Sequence, residues 1–400
     1  MSARGIRATL RPTSRMSTDS HPITALSLCN ALGLDLAGVG AAIAATRSGL
    51  RTLPWSWGPP GTHGAIDAPA PLPATLTDYD TRQARIAAQT LAPMLAAVER
   101  ANRRWGASRV AIVIGTSTGG IAATEAAWSR GAPLPASFDI ARRHALQATI
   151  EVVRACSGAR GPGYAISTAC SSSAKAFGSA ARLIAADLAD AVIVGGVDSL
   201  CETTLRGFAA LELVAPDHCR PFDVARRGLS LGEGGALALV ERRGDAPTRL
   251  VAVGESCDAY HMSSPHPEGD GAVAAMRAAL EHAGLEPAQI GFINAHGTGT
   301  ALNDAAEAKA IARVFGARTP VVATKGYTGH LLGAAGATEV ILTALALAEG
   351  VLPPSLGCET VDPTLGIDVV VQRRALDCEF AMSNSFAFGG SNAAVIVGLA

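Results

Sequence analysis

The sequence predicts an α/β fold made by duplicating one unit, and three observations carry that expectation. Apolar runs of strand length alternate with runs of helical periodicity, the pattern of layered α/β proteins. A strand, a loop and a helix led by Cys170 in the first half are echoed by a strand, a loop and a helix led by His330 in the second. Each half then closes on a glycine-rich turn and an apolar strand: Gly234-Gly235-Ala236-Leu237-Ala238-Leu239-Val240 in one, Gly389-Gly390-Ser391-Asn392-Ala393-Ala394-Val395-Ile396-Val397 in the other. This degenerate repeat predicts two similar halves, 21–245 with Cys170 and 246–400 with His296 and His330, whose helix starts meet near a pseudo-twofold axis.

In chain order, residues 1–20 are Arg- and Ser-rich and acid-poor. They resemble a transit peptide in composition, but read better as a disordered extension, with Met16 as an alternative start. Residues 23–34 suit a first strand and its loop, and 36–47 a short helix. Residues 53–73, rich in Pro, Gly and Trp, read as a surface loop. Over 80–105 the apolar residues Ile86, Leu91, Met94, Leu95 and Val98 share one helical face. Pro93 predicts a kink there, since it lacks an N–H and crowds the preceding turn. Residues 109–114 form a buried strand. The loop Gly115-Thr116-Ser117-Thr118-Gly119-Gly120 lacks the Lys and spacing of a phosphate-binding P-loop and reads as a tight turn.

A short strand over 164–168 leads to Cys170, a helix over 174–189 follows, and 191–197 is a strand. A polar loop spans 216–230, 236–241 is a strand, and 242–249 a charged linker. The second half reads as a strand (250–254), a helix (271–283) and a strand (290–295) running into His296-Gly297-Thr298-Gly299-Thr300. Asp304 is the expected N-cap of a helix reaching residue 315. A strand at 321–324, a long small-residue helix from His330 to residue 349 and a strand at 393–398 complete the chain.

Composition narrows the function. The chain has 400 residues, 48% hydrophobic and only 17% charged, so much of it must be buried in a core or an interface. A net charge of -1 argues against non-specific binding to nucleic acid or to an anionic membrane. No apolar run reaches the roughly 18 residues of a membrane span without polar interruption. The eight cysteines form no C-x-x-C pair and no zinc-site spacing, and no secretory signal is present. They read as free thiols in a reducing cytoplasm, with no metal expected.

Three residues stand apart from the core pattern. Cys170 sits where helix-start N–H groups and the positive end of the helix dipole can stabilise a thiolate. Its other reading is a buried structural cysteine. His296 ends a strand in a Gly/Thr turn, and His330 follows Lys325 by five residues. A lone His is commonly structural, and Lys325 taken singly reads as a solvated charge. Together, at strand ends where α/β proteins place their sites, a Cys and two His suit acyl transfer.

The motifs resemble those of the β-ketoacyl-acyl carrier protein synthases, condensing enzymes of the thiolase-like superfamily. They are Thr168-Ala169-Cys170-Ser171-Ser172, Asn294-Ala295-His296-Gly297-Thr298-Gly299-Thr300, the run from Thr324-Lys325-Gly326 through His330 to Gly336, and Asn384-Ser385-Phe386-Ala387-Phe388-Gly389-Gly390-Ser391-Asn392. Arg220-Pro221-Phe222-Asp223 and Gly232-Glu233-Gly234 also match.

The resemblance extends from about residue 22 to the C-terminus. It implies a five-layer αβαβα fold with internal duplication and a dimer, either of two like chains or with a chain-length factor. It also implies decarboxylative Claisen condensation of an acyl-Cys enzyme with malonyl-acyl carrier protein, in fatty acid, polyene or polyketide-type biosynthesis. No bound cofactor is implied; substrates ride on the phosphopantetheine of the carrier protein.

Carried over residue by residue, Cys170 takes the acyl group, and the Cys170 and Phe388 N–H groups make the oxyanion hole. His296 and His330 stabilise the malonyl enolate, and Lys325 and Glu307 form an ion pair behind them. Thr298 and Thr300 bond the pantetheine arm, Phe386 and Phe388 line the mouth, and Thr118 falls near a position limiting pocket depth. A His pair points to an elongating synthase, and the intact nucleophile argues against the chain-length-factor subunit itself. Thiolases use a second, C-terminal Cys, but Cys358 and Cys378 lie outside the Phe/Gly motif. Ala387 and Gly326 depart from the family pattern; the former predicts stiffer gating.

Overall fold

The computed structural model describes residues 20–55, 58–128 and 133–400, so the expected extension, Ser20 apart, lies outside them. The described residues form thirteen strands: β1 (His21–Asn30), β2 (Val110–Gly115), β3 (Gly163–Ile166), β4 (Ala191–Asp198), β5 (Gly234–Glu241), β6 (Thr248–Cys257), β7 (Ile290–Asn294), β8 (Pro320–Val322), β9 (Val351–Leu352), β10 (Asp368–Val369), β11 (Arg374–Ala375), β12 (Phe380–Ala387) and β13 (Ser391–Leu399). Apart from the small β9–β11 ribbon, they order as 10-8-7-12-13-6-1-5-4-2-3.

The duplication is written in this order. From β1 outward the first half runs β1, β5, β4, β2, β3; from β6 outward the second runs β6, β13, β12, β7, β8. In each the first two pairings are antiparallel and the next two parallel. The two sets join only where His21 and Pro22 meet Leu250 and Arg249.

Helices Ser172–Ala185 and Ala335–Glu349 touch each other and strands of both sets, so they form a middle layer between two sheets. Helices Arg82–Leu91 and Gln147–Ser157 cover the outer face of the first sheet, and Asp270–Ala283, backed by Ala301–Phe315, covers the second. These are the five layers that the resemblance implies.

Small residues make the middle layer possible. A Cβ on Gly336 would lie 2.8 Å from the Ala174 Cβ, and one on Gly115 would lie 2.2 Å from the Ser173 nitrogen. Residues Leu332–Glu349 are long and apolar enough to cross a membrane by length and composition, but 83% of that segment is buried inside the protein. It is a core helix, and Glu339 interrupts it.

Several expectations need correction. Leu95, expected on the buried face, is exposed, because Pro93 lies in a short 3-10 turn that reorients the next helix, Leu95–Trp105. The stretch expected as a surface loop is partly interior: His63, Ala65 and Ile66 are buried, and the Ile66 N–H donates to Glu233. Thr300, not Asp304, is the cap position of helix Ala301–Phe315. Asp304 lies inside the first turn, where its carboxylate accepts the N–H groups of Gly299 and Phe222. The last central helix opens at Ala335 after a 3-10 turn, leaving His330 in the approach loop.

Candidate active site

The site lies where the leading ends of the two middle helices converge. Cys170 precedes helix Ser172–Ala185 and follows Ala169, a non-glycine residue in the left-handed region (φ 50). The Ala169 carbonyl is pinned by the Ser172 hydroxyl at 2.5 Å and the Ser117 hydroxyl at 3.2 Å. Backbone strain of this kind persists only where the surroundings enforce it. Here it holds the sulfur against His330: Nε2 to Sγ is 2.9 Å. The N–H groups of Phe388 and of Cys170 itself lie near this sulfur and favour its thiolate form.

The helix start does not produce a resting thiolate as expected. Cys170 is wholly buried, and burial pushes its thiol up to about 11; the Lys325 charge and the two amide donors pull the other way and offset only part.

His296 and His330 face each other edge to face, ring centroids 5.3 Å apart. Both imidazoles are held well below the usual value, by burial first and then by the Lys325 charge, so both are neutral at physiological pH. Their tautomers follow from their neighbours. The Lys325 ammonium can only donate, and its Nζ lies 3.3 Å from His296 Nδ1. The Leu332 N–H donates to His330 Nδ1 at 3.2 Å. Both Nδ1 atoms therefore accept, and each ring carries its proton on Nε2, the atom that His330 presents to the sulfur.

The expected Lys325–Glu307 ion pair is not what forms. Lys325 pairs with Glu339 and also donates to the His296 carbonyl, so its three hydrogens have three acceptors. Glu307 instead accepts the backbone N–H groups of His296 and Gly297, each at 2.8 Å, and so fixes the turn that carries His296. Burial pushes Glu307 up to about 7. Sequence reasoning missed Glu339; its signal was a carboxylate in the middle of a mostly apolar helix whose other acid, Glu349, sits at the end.

Thr118 is also corrected. It is buried and does not line the cavity; its hydroxyl donates to Asp198 at 2.6 Å. Asp198, unremarked in the sequence, further accepts from Thr116 and from the Ser117 and Thr118 N–H groups, holding the glycine-rich loop behind Ala169.

A cavity of ≈ 370 Å³ opens from Cys170, His296 and His330 past Thr298, Thr300, Phe386 and Phe388 to the surface. The Phe388 ring stacks on Phe208 at 5.5 Å, and Phe386 sits 6.2 Å from the His296 ring. Ala387 has an extended backbone (φ -118), where a Cβ introduces no strain. Gly326 is required: a Cβ there would lie 1.8 Å from the Leu356 carbonyl oxygen. At the rim Leu211 and Leu302 are exposed.

Comparison with known proteins agrees with this geometry. Residues 73–246 match the family model described as "Beta-ketoacyl synthase, N-terminal domain", and residues 248–359 match "Beta-ketoacyl synthase, C-terminal domain". The chain is 36% identical over 316 residues to a 3-oxoacyl-[acyl-carrier-protein] synthase 2 of Vibrio cholerae, covering 72% of this chain and 76% of that one. It is 38% identical over 256 residues to the enzyme of the same name from Staphylococcus aureus, covering 60% and 64%. Among solved structures it is similar to the ketosynthase ApeO, in complex with its chain length factor ApeC, from Xenorhabdus doucetiae: TM-score 0.87, 37% identity, covering 96% of this chain and 98% of that one. The ishigamide ketosynthase/chain length factor superposes with TM-score 0.87 at 28% identity, covering 96% and 100%.

Proposed function

The chain belongs to the β-ketoacyl synthase family, and from that premise we propose how its own residues divide the condensation. One observation carries the proposal: a buried thiol with two amide donors shares a cavity with two neutral imidazoles. In the first step Cys170 attacks the thioester of an acyl-carrier protein. The sulfur–acyl bond forms, the carbon–sulfur bond to the pantetheine breaks, and the thiol proton leaves with the departing thiol. The Cys170 and Phe388 amides stabilise the oxyanion of the tetrahedral intermediate.

In the second step malonyl-carrier protein enters, and the Nε2–H groups of His296 and His330 donate to its thioester oxygen. As carbon dioxide leaves, the electron pair of the broken carbon–carbon bond becomes the enolate that these donors stabilise. The enolate carbon attacks the acyl-Cys carbonyl. The Cys170 sulfur departs and is reprotonated, giving a β-ketoacyl-carrier protein two carbons longer. The donor geometry lets the thioester carbonyl itself serve as the electron sink. The carrier's phosphopantetheine arm reaches in past Thr298 and Thr300, whose hydroxyls lie 2.9 Å apart at the cavity wall.

The partner is a second synthase-type chain. Among the described residues, β3 is the outer strand of the first sheet, paired only with β2, so one of its edges has no partner strand within these residues, and its side chains are half-buried. Trp128 and Ile140 are exposed large apolar side chains in the same half. Two similar solved proteins are ketosynthases with chain length factors; this chain, with its thiol intact, takes the ketosynthase part of such a pair. All eight cysteines are free, which a reducing cytoplasm maintains.

The test is intact mass measurement after mixing with acyl-carrier proteins bearing several chain types, followed by malonyl-carrier protein. An acyl mass on Cys170 that is lost as carbon dioxide and the extended product appear is expected. No adduct with any chain type would overturn the reading.

A further inference from the structure

The same three side chains form a second, unwanted kind of site. One ligand atom from each of Cys170, His296 and His330 lies within 4.8 Å of the other two, and all three residues are buried. A thiol and two neutral imidazoles are the donor set that Zn²⁺ prefers, at bond lengths of roughly 2.0 to 2.3 Å. Side-chain shifts of about 1 Å would bring these atoms to that distance. A metal there would occupy both the nucleophile and the two hydrogen-bond donors.

We propose that Lys325 keeps soft divalent metal ions, Zn²⁺ above all, off this group. Metal binding needs Cys170 to lose its proton and each imidazole to turn a lone pair, not an N–H, into the cavity. For His296 the proton must move from Nε2 to Nδ1. That atom already accepts from the Lys325 ammonium 3.3 Å away, so the swap sets two donors against each other. For His330 the same swap opposes the Leu332 N–H, a neutral bond at 3.2 Å that weighs less.

The ammonium adds like-charge repulsion from the interior, where screening is weak; even at an effective dielectric near 20, a dication this close binds about 100-fold more weakly or worse. The ammonium cannot swing away without abandoning Glu339 and the His296 carbonyl. Metal exclusion rests on these contacts alone and does not depend on which acyl group the enzyme carries.

The experiment uses the full chain and its Lys325→Met variant, titrated with Zn²⁺ against a chromophoric chelator and with Co²⁺ by visible absorption. The variant is expected to take up one equivalent, at least about 100-fold tighter than the parent, with the Co²⁺ spectrum of a thiolate site. Adding Cys170→Ala should remove that equivalent. Lys325→Met leaves Glu339 buried without its partner and can impair folding. The double variant Lys325→Met/Glu339→Met replaces the pair by apolar chains of similar volume, which buried ion pairs often tolerate. It should show the same site, more weakly. Cys170-dependent binding by the parent as tight as by the variants overturns the proposal, as does a folded double variant that takes up no metal at this site.

Discussion

The two halves of the chain use one backbone device for different chemistry. Ala169 (φ 50) and Leu332 (φ 53) are both left-handed non-glycine residues, and each lies three positions ahead of its middle-layer helix. The next residue is Cys170 in the first half and Gly333 in the second. A Cβ on Gly333 would lie 2.7 Å from the Ser117 nitrogen and from the Asp198 carboxylate, so this position has no room for a side chain.

The second half places its chemistry elsewhere, on His330 in the approach loop and on His296 after β7. The ends of the paired strands diverge likewise. β4 ends on Asp198, a buried carboxylate that anchors a loop; β12 runs into Phe388, whose N–H lies near the sulfur. One repeated frame thus carries the thiol in one half and the two imidazoles in the other.

The sharpest contrast is protonic, and pH reports it. Burial raises the Cys170 thiol to about 11, so its alkylation by iodoacetamide should climb about tenfold per pH unit from 7 to 10, following the thiolate fraction. A plateau below pH 8 would mean that the helix start, not burial, controls this thiol. The imidazoles of the second half have depressed values, so malonyl decarboxylation should show no inflection near pH 6.5.

Next in size is the packing contrast. Gly333→Ala should destabilise the protein by about 1–3 kcal/mol, measured by denaturant unfolding, because backbone must move to admit the methyl group. A neutral result would break the claim that the second half cannot hold a side chain there. The smallest effect tests the strain in the first half. Ala169→Gly should relieve left-handed strain and raise stability by up to about 1 kcal/mol; the equivalent change at Leu332 is no such test, because it also strips a buried side chain from the core. A loss of stability in Ala169→Gly would show that the backbone ahead of Cys170 is not strained.

The fold was legible because its strands are apolar and its turns glycine-rich, and because both closing strands repeat one pattern. The elements passed over depend on tertiary partners. Helix Glu202–Ala210 is capped by Glu125, whose carboxylate accepts the Glu202 and Thr203 N–H groups from another helix. Only the family resemblance pointed Thr118 toward the pocket; Asp198, 80 residues away in sequence, draws its hydroxyl inward. Cys170, His296 and His330 were legible through their motifs, and the cavity does bring them together. Glu307 was assigned the wrong task for a similar reason to Thr118: motifs place a carboxylate near Lys325 but do not say which of two buried carboxylates meets it. Glu339 does so because helix Ala335–Glu349 runs directly behind His296.

The division of labour is tested most directly by measuring the two half-reactions separately on two variants, acyl transfer by intact mass and malonyl decarboxylation by carbon dioxide release. Cys170→Ala is predicted to take up no acyl group yet still release carbon dioxide. His296→Ala is predicted to be acylated normally while decarboxylating about 100-fold or more slowly. Loss of decarboxylation in the first variant, or of acylation in the second, would contradict the account.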